Sequence, residues 1–123
     1  MNSRDYYSEI ESLLKDCSFI VHFSVDFDEI TSEVGYLKGN LDLIDGASLH
    51  FNEYFEIQSN SPKLLKYKYH WQSSEGNLIR RWDNARHHKE LKTFPHHVHD
   101  HEGVHSSQST DLKKVLDIII NAR

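Results

Sequence analysis

The chain has 123 residues, 37% of them hydrophobic and 27% charged, with few glycines and prolines, which is the make-up of one soluble globular domain spanning residues 1–123. No apolar run approaches the ~20 residues of a membrane helix, and the first residues lack a basic segment followed by an apolar core, so no membrane association and a cytoplasmic location are expected. A formal charge of -5 argues against a broad nucleic-acid-coating surface, and the single cysteine, Cys17, excludes an internal disulfide or a cysteine zinc site.

Tyr6, Ile10, Leu13, Leu14 and Cys17 recur every three to four residues, which predicts an amphipathic helix capped by Ser3 and ending near Asp16. The period then becomes two. Phe19, Val21, Phe23, Val25 and Phe27 alternate with outward positions as in a half-buried strand. A second strand turns Leu37, Gly39, Leu41 and Leu43 inward, Asp45-Gly46 supplies the positive φ of a tight hairpin, and a third strand returns with Leu49, Phe51, Glu53, Phe55 and Ile57 on one face. After a turn at Asn60-Ser61-Pro62, Leu65, Tyr67, Tyr69 and Trp71 alternate with Lys66, Lys68, His70 and Gln72. Residues 73–77 turn into a fifth strand at 78–83. Loops this short cannot make parallel crossovers, so the strands form an antiparallel meander.

Residues 84–92 read as a loop and 94–100 as a short sixth strand. Ser109 or Thr110 then caps a last helix with Leu112, Val115, Leu116 and Ile119 on one stripe. Ile118 and Ile120 widen that stripe, so the helix is expected to be covered on more than one side, by the sheet and the first helix or by a second subunit in a homodimer. The expected fold is α+β: an N-terminal helix, a five- to six-stranded antiparallel meander, and a C-terminal helix packed on the sheet.

Seven of the ten histidines fall between residues 87 and 105, close to much of the positive charge: Lys66, Lys68, Arg80, Arg81, Arg86, Lys89 and Lys92. Histidine titrates near pH 6.5, so it serves as acid, base or metal ligand at neutrality. In an extended segment residues two apart share a face, so His97, His99 and His101 can converge on zinc or another divalent metal, completed by Asp83, His87 or His88, while His96 points away. The competing chemistry uses no metal. Two histidines act as base and acid on a ribose 2′-hydroxyl and a 5′-oxygen leaving group, Arg81 or Arg80 steadies the phosphorane charge, and Asp83 orients an imidazole.

Glu53 stands between Phe51 and Phe55 on the core face, where a carboxylate needs a partner. A regular meander brings Arg81 to that face beside Tyr67 and Tyr69, giving a Glu53 to Arg81 pair that is either a rim salt bridge or part of a site. Trp71 and Trp82 read as packing, with base stacking as the alternative.

The segments Tyr36-Leu37-Lys38-Gly39-Asn40-Leu41 through Asp45-Gly46, Phe51-Asn52-Glu53-Tyr54, Lys66-Tyr67-Lys68-Tyr69-His70-Trp71-Gln72, Arg81-Trp82-Asp83-Asn84-Ala85, His87-His88 and Phe94-Pro95-His96-His97-Val98-His99 together resemble the TumE-type family of toxins from toxin–antitoxin modules. Arg86 departs from the pattern, standing where the family usually has proline. The resemblance implies a toxin held in check by a cognate antitoxin, often a helix-turn-helix protein. Many toxins of this size cleave RNA, so the expected function is an endoribonuclease acting on RNA without a cofactor. His88 and His97 are its expected base and acid in unassigned order, Arg81 its phosphate clamp and Asp83 its imidazole orienter. His87, His96 and His99 stand in reserve, and Glu53, Tyr69, Arg80, Trp82 and Asn84 support the site or contact substrate. The alternatives are a divalent-metal hydrolase or nuclease built on His97, His99 and His101, and a non-catalytic RNA- or protein-binding module.

Overall fold

Period-two alternation dominates the chain, and in the computed structural model, which describes residues 1–122, it yields seven strands that pair in chain order into one antiparallel sheet. They are β1 (Ile20–Glu29), β2 (Val34–Leu43), β3 (Ser48–Gln58), β4 (Ser61–Gln72), β5 (Leu78–Asp83), β6 (His97–Asp100) and β7 (Gly103–Ser106). Helices α1 (Ser3–Lys15) and α2 (Leu112–Asn121) complete the α+β fold. The expected count of five or six strands misses β7, whose Gly103-Val104-His105-Ser106 has one apolar residue and so no visible alternation. No helix among the described residues is long and apolar enough to cross a membrane.

Both helices contribute to one core. Tyr6, Ile10 and Leu14 of α1 and Leu112, Val115, Leu116 and Ile119 of α2 join the inward residues of β2 to β5, among them Leu37, Leu41, Phe51, Phe55, Tyr69 and Trp82. Gly39 is part of this packing: a Cβ there would lie 2.2 Å from the Phe51 ring, so only glycine lets that ring lie across β2. The caps differ from expectation by one or two residues. Asn2, not Ser3, caps α1 in a capping box with Asp5, and the fully buried Ser3 donates its hydroxyl to the Thr31 carbonyl at 2.9 Å. Asp111, rather than Ser109 or Thr110, caps α2 by accepting from the Lys114 amide. Ile118 and Ile120 remain exposed, so within the chain α2 is covered on its sheet-facing stripe alone.

Three bulges decide which face each later side chain meets, because one inserted residue flips everything beyond it. Val21 is the extra residue between the pairs Ile20↔Leu43 and His22↔Asp42, and it is exposed rather than inward. Leu65 is extra between Phe55↔Leu64 and Tyr54↔Lys66, so Leu64 packs on the core in its place. The turn before it is Ser59-Asn60, with φ of 49° and 64°, and Pro62 already lies in β4. The third bulge, at Ile79 between Trp71↔Arg80 and Gln72↔Leu78, shifts β5 by one residue. Arg81 is thereby opposite His70 on the face away from the helices, and the expected Glu53 to Arg81 pair does not form.

On that open face the cross-strand partners fall into lines. Lys38, Asn52, Lys68, Asp83 and His97 stand opposite one another in turn, and so do Asn40, His50, His70, Arg81 and His99.

Candidate active site

Asp83 ends β5, and its side chain is the hub of the open face. Oδ1 accepts from the Ala85 amide at 3.0 Å and lies 2.7 Å from His97 Nε2, while Oδ2 lies 3.3 Å from Arg81 Nε and 3.4 Å from His99 Nε2. Strand pairing places all of these: Asp83 is opposite His97 and Arg81 is opposite His99 across β5 and β6. His97 is 2% exposed and donates from Nδ1 to the Pro95 carbonyl at 2.8 Å, so an oxygen faces each of its nitrogens and the ring is fixed.

His88 comes from the loop at residues 84–96 and closes over the pair, its ring 5.2 Å from His97 and 5.9 Å from His99. Its φ of 54° is a left-handed conformation that a side chain adopts only when its surroundings hold it there. Nδ1 lies 3.4 Å from Glu90 Oε1, which leaves Nε2 as the nitrogen available to a ligand. The loop is tied down on both sides. Arg86 puts its guanidinium 5.1 Å from the Phe94 ring centre, and Asn84 Oδ1 accepts from the Tyr67 amide at 2.8 Å while its Nδ2 donates to the Leu65 carbonyl at 3.2 Å. Asn84 therefore anchors the start of the loop to β4. Asn84→Ala is expected to lower stability by about 1–3 kcal/mol in urea unfolding, since it leaves a buried amide unpaired.

These groups border a cavity of about 590 Å³. Arg81, Asp83, His87, His88, His97 and His99 line it from β5, β6 and the loop between them, and Tyr36, Asn52, Tyr54, Lys66 and Lys68 from β2 to β4. Asp83 is the only acid among the described residues lining it, so the cavity is locally cationic in a chain of formal charge -5. Burial, and then the Arg81 cation with help from His97 and His88, holds His99 below the usual histidine range against the opposing pull of Asp83. His99 is thus set to be neutral and proton-accepting. Histidine nitrogens of His88, His97 and His99 lie within 4.8 Å of one another, so these three, with Asp83 beside them, could also converge on a divalent ion.

Several expected members lie elsewhere. His101 sits past the end of β6 with its side chain 83% exposed beside Glu102; the strand's alternation has stopped, and His88 stands where the third histidine was expected. His96 turns to the helix side, its Nδ1 2.9 Å from the Tyr67 hydroxyl and its ring stacked on that tyrosine; burial, then His97, lowers its pKa. Glu53 and Tyr69 are buried on the helix-covered face, where Glu53 accepts from the Tyr69 and Tyr6 hydroxyls at 2.6 Å each. Arg80 lies over the ring of buried Trp82, 5.6 Å from its centre. Tyr36, Asn52 and Tyr54 line the cavity without being among the expected site residues, and each occupies the outward phase of a strand whose inward phase is clear.

A family model described as Toxin TumE matches residues 10–122. No curated protein and no solved structure matches the chain.

Proposed function

The chain belongs to the TumE toxin family, the toxin component of a toxin–antitoxin module with a cognate antitoxin as partner, and from that premise we propose that it is a cytoplasmic endoribonuclease that works without a metal. The observation that carries this reading is the placement of Arg81 and His99 on one carboxylate, Asp83, in a cavity with no other acid among the described residues. Such a site attracts a polyanion and offers it a base.

The neutral His99 takes the proton of a ribose 2′-hydroxyl as that oxygen attacks the adjacent phosphorus. Arg81 neutralises charge on the phosphorane oxygens through its guanidinium fork. The bond to the 5′-oxygen breaks, and that oxygen takes a proton from His88, leaving a 2′,3′-cyclic phosphate and a 5′-hydroxyl. His97, buried between the Pro95 carbonyl and Asp83, is a positioning residue, so the acid–base pair is His88 and His99 in place of the expected His88 and His97.

The test is incubation of EDTA-treated protein with RNA. Cleavage to cyclic-phosphate ends, blocked by 2′-O-methylation at the cut, is the expected result. Activity that returns only with a divalent ion and leaves 5′-phosphate ends would replace this reading by metal-assisted hydrolysis at His88, His97 and His99, the reading favoured by their 4.8 Å spacing. Binding and growth arrest with no cleavage at all would mean sequestration. The base must be neutral to act, and the pKa of His99 is lowered, so kcat/KM is expected to rise with pH along an acid limb centred below the usual ~6.5. A pH profile from 4.5 to 8, a range of roughly two units either side of that value, checks this.

The same reading takes the antitoxin as a helix-turn-helix protein. The uncovered Ile118 and Ile120 of α2 support a homodimer through that helix, which sedimentation of the wild type beside an Ile118→Lys variant would detect.

A further inference from the structure

The side of the cavity lined from β2 to β4 takes no part in the proton transfers described above. Tyr36 stands opposite Tyr54 across β2 and β3, Tyr54 opposite Lys66 across β3 and β4, and Asn52 opposite Lys68 one row nearer to Asp83. All five side chains line the cavity. Directly opposed residues in an antiparallel sheet hold their Cβ atoms about 5 Å apart, so the two tyrosine side chains stand as neighbours on the open face with a lysine beside them. Among the described residues neither ring has an aromatic, cationic or hydrogen-bonding partner, and both are at least partly open to solvent. Tyrosines that serve packing stand on the opposite face, as Tyr67 and Tyr69 do.

From Tyr54 to Asp83 is two strands across and two residues along, on the order of 12 Å. Lys66 and Lys68 fall between the tyrosines and Arg81. Neighbouring aromatic side chains followed by lysines and Arg81 match the alternation of base and phosphate in a nucleic acid strand. An acidic peptide would satisfy the lysines and leave the rings uncovered.

We propose that the Tyr36 and Tyr54 pair is a stacking platform for an unpaired base next to the scissile phosphate, with Lys66 and Lys68 gripping the connecting backbone, so that the substrate class is single-stranded RNA. The proposal rests on the ribonuclease reading for the identity of the chain it holds. A base inside a duplex keeps both faces covered and cannot use such a floor. Asn52, with one donor and one acceptor group, is placed to meet the edge of the stacked base.

The experiment is fluorescence anisotropy of the full-length protein with a labelled, fully 2′-O-methylated RNA, offered single-stranded and as a duplex. The single strand is expected to bind at least tenfold more tightly. Tyr54→Ala and Tyr36→Ala should each weaken that binding about tenfold, and Tyr54→Phe should restore it, because the ring and not the hydroxyl is used. Removing one base from the RNA should weaken binding to the wild type and add little to the loss in Tyr54→Ala. Equal affinity for duplex and single strand, or wild-type affinity in both alanine variants, would overturn the platform. Tighter, tyrosine-dependent binding of an acidic peptide would overturn it in favour of a protein partner. Cleavage assays on unmethylated RNA separate the two readings. Tyrosine-dependent binding without cleavage sinks the ribonuclease and keeps the platform, whereas cleavage with an unchanged KM in both variants does the reverse.

Discussion

Arg81→Ala is expected to lower kcat/KM for RNA cleavage by roughly 10²–10³-fold, the usual consequence of removing one preorganised group that meets developing charge. The side chain touches Asp83 only through Nε, at 3.3 Å, so the fork of terminal nitrogens remains for a phosphate. Arg81 also helps hold down the pKa of His99. Its loss should therefore move the acid limb of the pH profile to higher pH as well as reduce the plateau. Lysine at the same position keeps the charge but not the planar fork, and an intermediate rate is expected. The backbone of residue 81 stays in the sheet and its side chain is partly exposed, so the thermal midpoint should move little. Activity within a few-fold of wild type, with an unmoved acid limb, would remove Arg81 from the mechanism.

Glu53→Ala is expected to act on the other face of the sheet, on stability rather than chemistry. The carboxylate is fully buried and accepts two short bonds, from Tyr6 and Tyr69. Alanine leaves a cavity and two buried hydroxyls without their acceptor, together costing about 3 kcal/mol. Both phenols are held far above their ordinary pKa by burial and by Glu53 itself, so they remain donors. Burial also raises the pKa of Glu53, outweighing the two bonds that lower it. The folded state therefore holds this proton more tightly than the unfolded chain does. Stability from this group is complete below the unfolded value of about 4.3 and is lost as pH rises from there to the raised folded value. Urea midpoints across pH should show that decline in the wild type and not in Glu53→Gln, while activity per folded molecule should match wild type in both variants. A loss of kcat without loss of stability in Glu53→Gln would put Glu53 back in the site.

The two helices and the first five strands were legible because their periodicity is strong, and β5 was read with its observed limits, whereas β6 is shorter than the expected 94–100 and β7 carries no pattern. The faces were harder, since a face depends on register and register on bulges. Nothing in Leu78-Ile79-Arg80 marks Ile79 as the extra residue, yet that insertion carries Arg81 from the core side to the cavity and separates it from Glu53. The same holds for Leu64 and Leu65, either of which satisfies the apolar pattern. In the site, Arg81, Asp83, His88, His97 and His99 were named from residue chemistry and family pattern and do come together. Their roles were not readable. The burial of His97 follows from Pro95 and Asp83 closing on it, and His101 leaves the group because β6 ends at Asp100. Tyr36 and Tyr54 looked like ordinary outward residues because each lies on a different strand from the histidines, and only pairing brings them together.

A sheet whose spatial order is its chain order also has an order in time. Each strand finds its neighbour in the segment made just before it, so β1 to β4 can assemble while the rest is still being synthesised. The tyrosines and lysines of the cavity floor belong to that early part, whereas Arg81 and Asp83 arrive with β5, His88 with the loop after it, and His97 and His99 with β6. On the ribonuclease reading, the surface that holds the target is thus made before the groups that cut it.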